Sequence, residues 1–88
     1  MKTTIKQTGP REVTLSYDSP YDGPVSREFF CPSAGAYVRE WDARRREWNQ
    51  NVCAGLANSG WTLTATPETL LAVVRREWRQ NRRALLGS

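Results

Sequence analysis

Apolar and polar residues alternate at a period of two in several short runs of the chain. In residues 12–17, Val13, Leu15 and Tyr17 alternate with Glu12, Thr14 and Ser16, the pattern of a strand with one face buried. Residues 25–31 read as a second strand. Its neighbours Phe29 and Phe30 must point to opposite faces, which predicts a strand covered on both sides. Residues 3–7 add an edge strand. Turn-forming clusters separate these runs, at Gly9-Pro10, Asp18-Ser19-Pro20, Asp22-Gly23-Pro24 and Pro32-Ser33. The expected arrangement is an antiparallel meander.

Residues 36–60 admit two readings. As a strand pair, Tyr37, Arg39 and Trp41 share a face, the chain turns near Asp42-Ala43-Arg44, and it returns through Trp48. As a helix, Val38, Trp41, Trp48, Val52 and Leu56 form a stripe broken by Arg45. Two acid-before-base pairs, Glu40 with Arg44 and Asp42 with Arg46, would support it by about 0.2–0.5 kcal/mol each. Gly35, Gly55, Asn49 and Asn51 oppose the helix. The balance favours a hairpin, followed by a helical turn over residues 52–58 that ends at Asn58-Ser59-Gly60, with Gly60 in the left-handed stop position.

Residues 61–65 alternate again and predict a further strand. A helix start follows: Thr66 can cap, Pro67 suits the first helical position, and Glu68 favours the positive helix end. The helix should run from residue 67 to about residue 86. The predicted fold is α+β, a single domain over residues 1–88. A small antiparallel sheet of three to five strands packs against a long C-terminal amphipathic helix.

Composition narrows the function classes. Apolar residues make up 39% of the 88 and charged residues 25%, with nine aromatics, enough for a compact fold with a thin core. No run of about 18 apolar residues offers a membrane span. No apolar stretch follows Lys2 as a signal peptide would require, so a cytoplasmic location with reduced thiols is expected. Histidine is absent. Cys31 and Cys53 lie too far apart for a metal knuckle. They read as small buried hydrophobes, with a disulfide or a reactive thiol as the alternatives. Asp18 and Asp22 read as turn residues rather than a cation site. With no phosphate loop, no nucleophile motif and no acid/base pair, neither a catalytic residue nor a cofactor or metal is expected, and the protein is not expected to be an enzyme.

Charge changes the picture more than composition does. The net charge is +4, and the segment from Arg75 onward holds five arginines against one acid, Glu77, which is the whole of that excess. Eleven of the thirteen bases are arginine. Codon use in a GC-rich bacterial genome would explain that bias but not its placement. At about 100° per residue, Leu70, Val74, Trp78 and Leu85 fall within about 80°, with Leu71 at the margin. Arg75, Arg79, Arg82 and Arg83 occupy another arc, with Arg76 further round and Gln80 and Asn81 among them in sequence. Arginine, glutamine and asparagine are the side chains suited to phosphates and base edges.

The string Trp78-Arg79-Gln80-Asn81-Arg82-Arg83 resembles the recognition helix of homeodomains, Trp-Phe-Gln-Asn-Arg-Arg, at five of six positions. The likeness stops there. Arg79 stands where that family has a core phenylalanine, and a strand pattern replaces the preceding helix-turn-helix, so no homeodomain function is carried over.

A second basic cluster, Arg44-Arg45-Arg46, lies between Trp41 and Trp48. Such interleaving suits base stacking with phosphate contact. The plainer alternative is a solvated turn, with Asp42 and Glu47 pairing off two charges and the tryptophans in the core. For the helix row the plainer accounts are the helix dipole, which covers one or two arginines, and pairing with Glu12, Glu28 or Glu40. The expectation is a small accessory or regulatory protein binding nucleic acid through Arg75, Arg76, Arg79, Gln80, Asn81, Arg82 and Arg83. The alternative is an inhibitor or protein-binding module, of the kind encoded by phages and plasmids, whose basic helix docks on an acidic protein. Self-association through exposed tryptophan is a third possibility.

Overall fold

The computed structural model describes residues 3–49 and 64–86, apart from the side chain of Ala84. The helical turn expected over residues 52–58, the Gly60 stop, Trp61 and Cys53 lie outside the described residues. Among the described residues, seven strands and one helix follow in order: β1 (Thr4–Gly9), β2 (Glu12–Ser19), β3 (Gly23–Phe30), β4 (Ala36–Tyr37), β5 (Arg39–Asp42), β6 (Glu47–Asn49), β7 (Thr64–Ala65) and α1 (Leu70–Leu86). Five strands form one antiparallel sheet in the order β1-β2-β3-β5-β6, while β4 and β7 pair as a separate ribbon. The α+β class and the sheet-on-helix arrangement are those expected from the alternation. Within the ambiguous middle, residues 39–49 are a hairpin of β5 and β6, not a helix.

The meander is built from local turn chemistry. Gly9 pairs with Glu12 across Pro10-Arg11, and an irregularity between Gln7 and Gly9 shifts the register of β1. Between β2 and β3 it is the Ser19 hydroxyl, rather than Asp18 or Asp22, that holds the loop. Its oxygen accepts from the backbone N–H groups of Tyr21 and Asp22 at 3.1 and 3.2 Å. Gly23 closes this turn at φ 71°, a left-handed conformation in which a Cβ is disfavoured.

Register sorts the side chains onto two faces. Val13 lies opposite Phe29, Leu15 opposite Arg27 and Ile5 opposite Leu15, so these share the inner face. The helix lies on that face, packed against β2 and β1. Val13, Leu15, Phe29, Cys31, Val38, Leu70 and Val74 are nearly inaccessible to water there. Tyr17 stacks at a tilt on Trp78, ring centroids 4.8 Å apart, tying the middle of the helix to β2. Burying an aromatic of this size contributes about 2–3 kcal/mol.

One inner-face pair is ionic. Arg27 donates from Nε to Glu40 Oε2 at 2.8 Å and from Nη2 to Oε1, a two-pronged contact between β3 and β5. Both residues are buried. The guanidinium also lies 5.4 Å from the Phe29 ring centroid.

The helix begins three residues later than the sequence predicts. Thr66 and Thr69 cap each other: Thr69 N–H donates to Thr66 Oγ1 at 3.2 Å, and Thr66 N–H donates to Thr69 Oγ1 at 2.9 Å. This is the reciprocal logic of a capping box, with threonine in place of glutamate. Thr69 N–H also closes on the Thr66 carbonyl at 3.0 Å, which tightens residues 66–69 into a turn. The α-helical ladder then opens with Val73 N–H to Thr69 O at 2.9 Å.

The expectation of a β3 covered on both sides needs correction. Phe29 is fully buried, but Phe30, on the outer face, is only half-buried. What partly covers it is Trp48, with centroids 5.3 Å apart.

Candidate nucleic-acid interfaces on two faces

The helix sorts its side chains by azimuth. Arg75, Arg76, Arg79, Arg82 and Arg83 are all exposed, and they span about 120° of the helix circumference, pointing away from the sheet. Successive turns place Arg75, Arg79 and Arg83 about 6 Å apart along the axis. Gln80 is exposed beside this arc. Asn81 is not: it is buried, and its Nδ2 donates to the Glu77 carbonyl at 2.9 Å. At about 100° per residue Asn81 falls between Leu70 and Val74, and Glu77 falls beside them. Azimuth thus places Asn81 in the packed stripe, whereas nearness in sequence places it among the arginines.

Ion pairing leaves most of the row uncompensated. Arg76 Nε lies 3.9 Å from Glu77 Oε2, a long contact at the margin of the arc. All nine acidic residues of the chain lie among the described residues. None of them lies within ion-pair distance of Arg75, Arg79, Arg82 or Arg83. Glu40, one candidate partner, is instead bonded to Arg27. The helix dipole favours a cation in the last turn, where Arg83 sits, and does not reach back to Arg75.

The second cluster lies on the other side of the molecule. Trp41 and Trp48 are direct cross-strand partners, with ring centroids 5.4 Å apart and planes at 68°. They point to the outer face with Phe30, so the tryptophan pair is not in the core; Trp41 is 36% exposed. Arg39, opposite Phe30 in register, shares that face. Arg44, Arg45 and Arg46 form the exposed hairpin tip. Asp42 organises this tip: its Oδ1 accepts from the N–H groups of Arg44 and Arg45 at 3.1 and 3.3 Å. Its Oδ2 lies 3.9 Å from Arg45 Nε. Glu47 makes no ion pair among the described residues. The strand reading of the sequence already put Arg39 on the face of Trp41; that Phe30 joins them was not legible, because only the β3–β5 register brings it there.

Cys31 carries a free thiol that is fully buried, its Sγ 3.2 Å from the carbonyl oxygens of both Ser33 and Ala65, which compete for its one proton. Burial pushes its pKa up from the ordinary value of 9.0. The thiolate is therefore disfavoured, as befits a packing residue rather than a nucleophile.

Among the described residues no helix is long and apolar enough to cross a membrane. Comparison with protein-family models, with curated proteins and with solved structures finds no match for this chain.

Proposed function

We propose that this protein is a small, non-enzymatic accessory protein that binds nucleic acid through the outer arc of α1. Arg75, Arg79, Arg82 and Arg83 would hold phosphates, with Arg76 at the flank and Gln80 within reach of sugar or base edges. Asn81 is left out of the contact set because it is buried. The observation that carries the reading is the row itself: four exposed arginines on one arc, with no acidic side chain among the described residues within ion-pair distance. Such a row repels itself, by about 0.2–0.5 kcal/mol for each i,i+4 pair. A polyanion relieves that repulsion and releases its own counterions.

The test is fluorescence anisotropy against labelled duplex and single-stranded nucleic acids at about 50 and 200 mM salt. Binding through four arginines should weaken by about two orders of magnitude over that range. Arg79→Ala should weaken every sequence alike and lower the salt slope by about one. No binding at low salt would overturn the reading. It would turn attention to an acidic protein surface as the partner of the same arc.

A further inference from the structure

We infer that the outer face of the β5–β6 hairpin is a second, separate platform for single-stranded nucleic acid, with Trp41 stacking on a base and arginines at its rim holding phosphates. The inference does not rest on the helix row, which lies on the opposite side of the sheet.

Three observations carry it. The first is an aromatic surface that the core does not use. Phe30, Trp41 and Trp48 form a contiguous cluster, and Trp41 remains 36% exposed. A base in a single strand can offer its face to such a ring, whereas a base in a duplex is already stacked.

The second is charge placement. Arg39 shares the aromatic face, and the tip adds three arginines. The nearest acids cancel only one of them: Asp42 Oδ2 lies 3.9 Å from Arg45 Nε, and among the described residues Arg39, Arg44 and Arg46 have no acid within ion-pair distance. Asp42 and Glu47 are paired on the inner side of the hairpin, alternating with the outward Trp41 and Trp48. Asp42 also commits one oxygen to the turn backbone. Glu12 and Glu28 lie on the outer face of β2 and β3, so a polyanion would follow β5 and β6 rather than cross the sheet.

The third is backbone strain. Arg46 closes the turn at φ 55°, and it is the one non-glycine residue at positive φ among those described. Glycine is the relaxed choice at such a position. A turn that keeps arginine there retains a charge at the cost of backbone comfort, a pattern that clusters at functional sites.

The experiment is an anisotropy titration of the full chain with labelled oligo-dT, oligo-U and a mixed-sequence duplex of equal length. The variants are Trp41→Ala, Trp41→Phe, Arg46→Gly and Arg79→Ala, each checked by thermal melting. Trp41→Ala should weaken single-strand binding about ten-fold or more while leaving duplex binding intact, and Trp41→Phe should restore much of the loss. Arg46→Gly should raise the melting temperature and still weaken single-strand binding, an outcome that a purely structural role does not produce. The dT and U arms tell whether DNA or RNA is preferred.

The inference fails if single-strand affinity tracks Arg79→Ala and ignores Trp41→Ala. It fails equally if Trp41→Ala changes only self-association, which would make the patch a contact between copies. The helix reading is judged separately, by duplex binding in Arg79→Ala.

Discussion

The two arginine-bearing surfaces stand on very different foundations. The helix carries its charge above a stripe of Leu70, Val74 and Trp78, which are buried against β2 and β1. The β5–β6 hairpin carries its charge at the end of a short ladder, and its large aromatics face outward. On the helix, binding residues and folding residues are therefore segregated by azimuth. On the hairpin, Trp41 and Trp48 serve the local packing and the surface at once. Helix arginines are free to change without risk to the core, whereas changes on the hairpin trade structure against surface chemistry.

The largest effect that separates the two surfaces is truncation of a tryptophan on each. Trp78→Ala should cost about 3–5 kcal/mol in urea unfolding, because it empties the contact with Tyr17 and leaves a cavity under the helix. That is a large share of the roughly 4–13 kcal/mol expected for a domain of this size. Trp41→Ala should cost less, about 1–2 kcal/mol, since the residue is 36% exposed. Equal losses would show that the outer face is core after all.

Next comes the pair that joins β5 to the meander. Removing one partner alone, as in Glu40→Gln or Arg27→Met, should cost about 3–5 kcal/mol, because the other charge stays buried. Replacing both with apolar residues of similar volume should restore most of that loss. A double variant no better than the singles would assign the pair a positioning role for the hairpin beyond its charge.

Smaller effects sharpen the contrast. A left-handed non-glycine residue costs about 1–2 kcal/mol, and glycine returns about 0.4–1 kcal/mol of that through the unfolded chain. Arg46→Gly should therefore stabilise by up to about 1 kcal/mol. Arg79→Ala should stabilise by about 0.5 kcal/mol, because it removes two like-charge contacts, with Arg75 and Arg83. Salt should erase the Arg79 gain and spare the Arg46 gain, since only the former is electrostatic.

How far the sequence was legible depends on how local each signal is. Val13, Leu15 and Tyr17 declare their strand by alternation, and all three are buried. Trp41 and Trp48 were ambiguous for a geometric reason. Seven residues is two helical turns, but it is also the separation of the second pair of partners back from a four-residue hairpin loop. Arg27 and Glu40 gave no signal, because their pairing is written only in the register of β3 against β5. The helix arginines were legible as a row. Asn81 was not, because neighbours in sequence on a helix point in different directions.

The helix that covers the inner face is also the last element of the described chain. During synthesis the meander leaves the ribosome well before its cover, with Val13, Leu15 and Tyr17 of β2 lacking the helix that later packs on that strand. Strand pairing between near neighbours forms early, whereas docking of residues 70–86 on β1 and β2 closes a loop of more than fifty residues. For that interval the nascent chain presents an apolar sheet of the kind that chaperones hold and that aggregates at high expression.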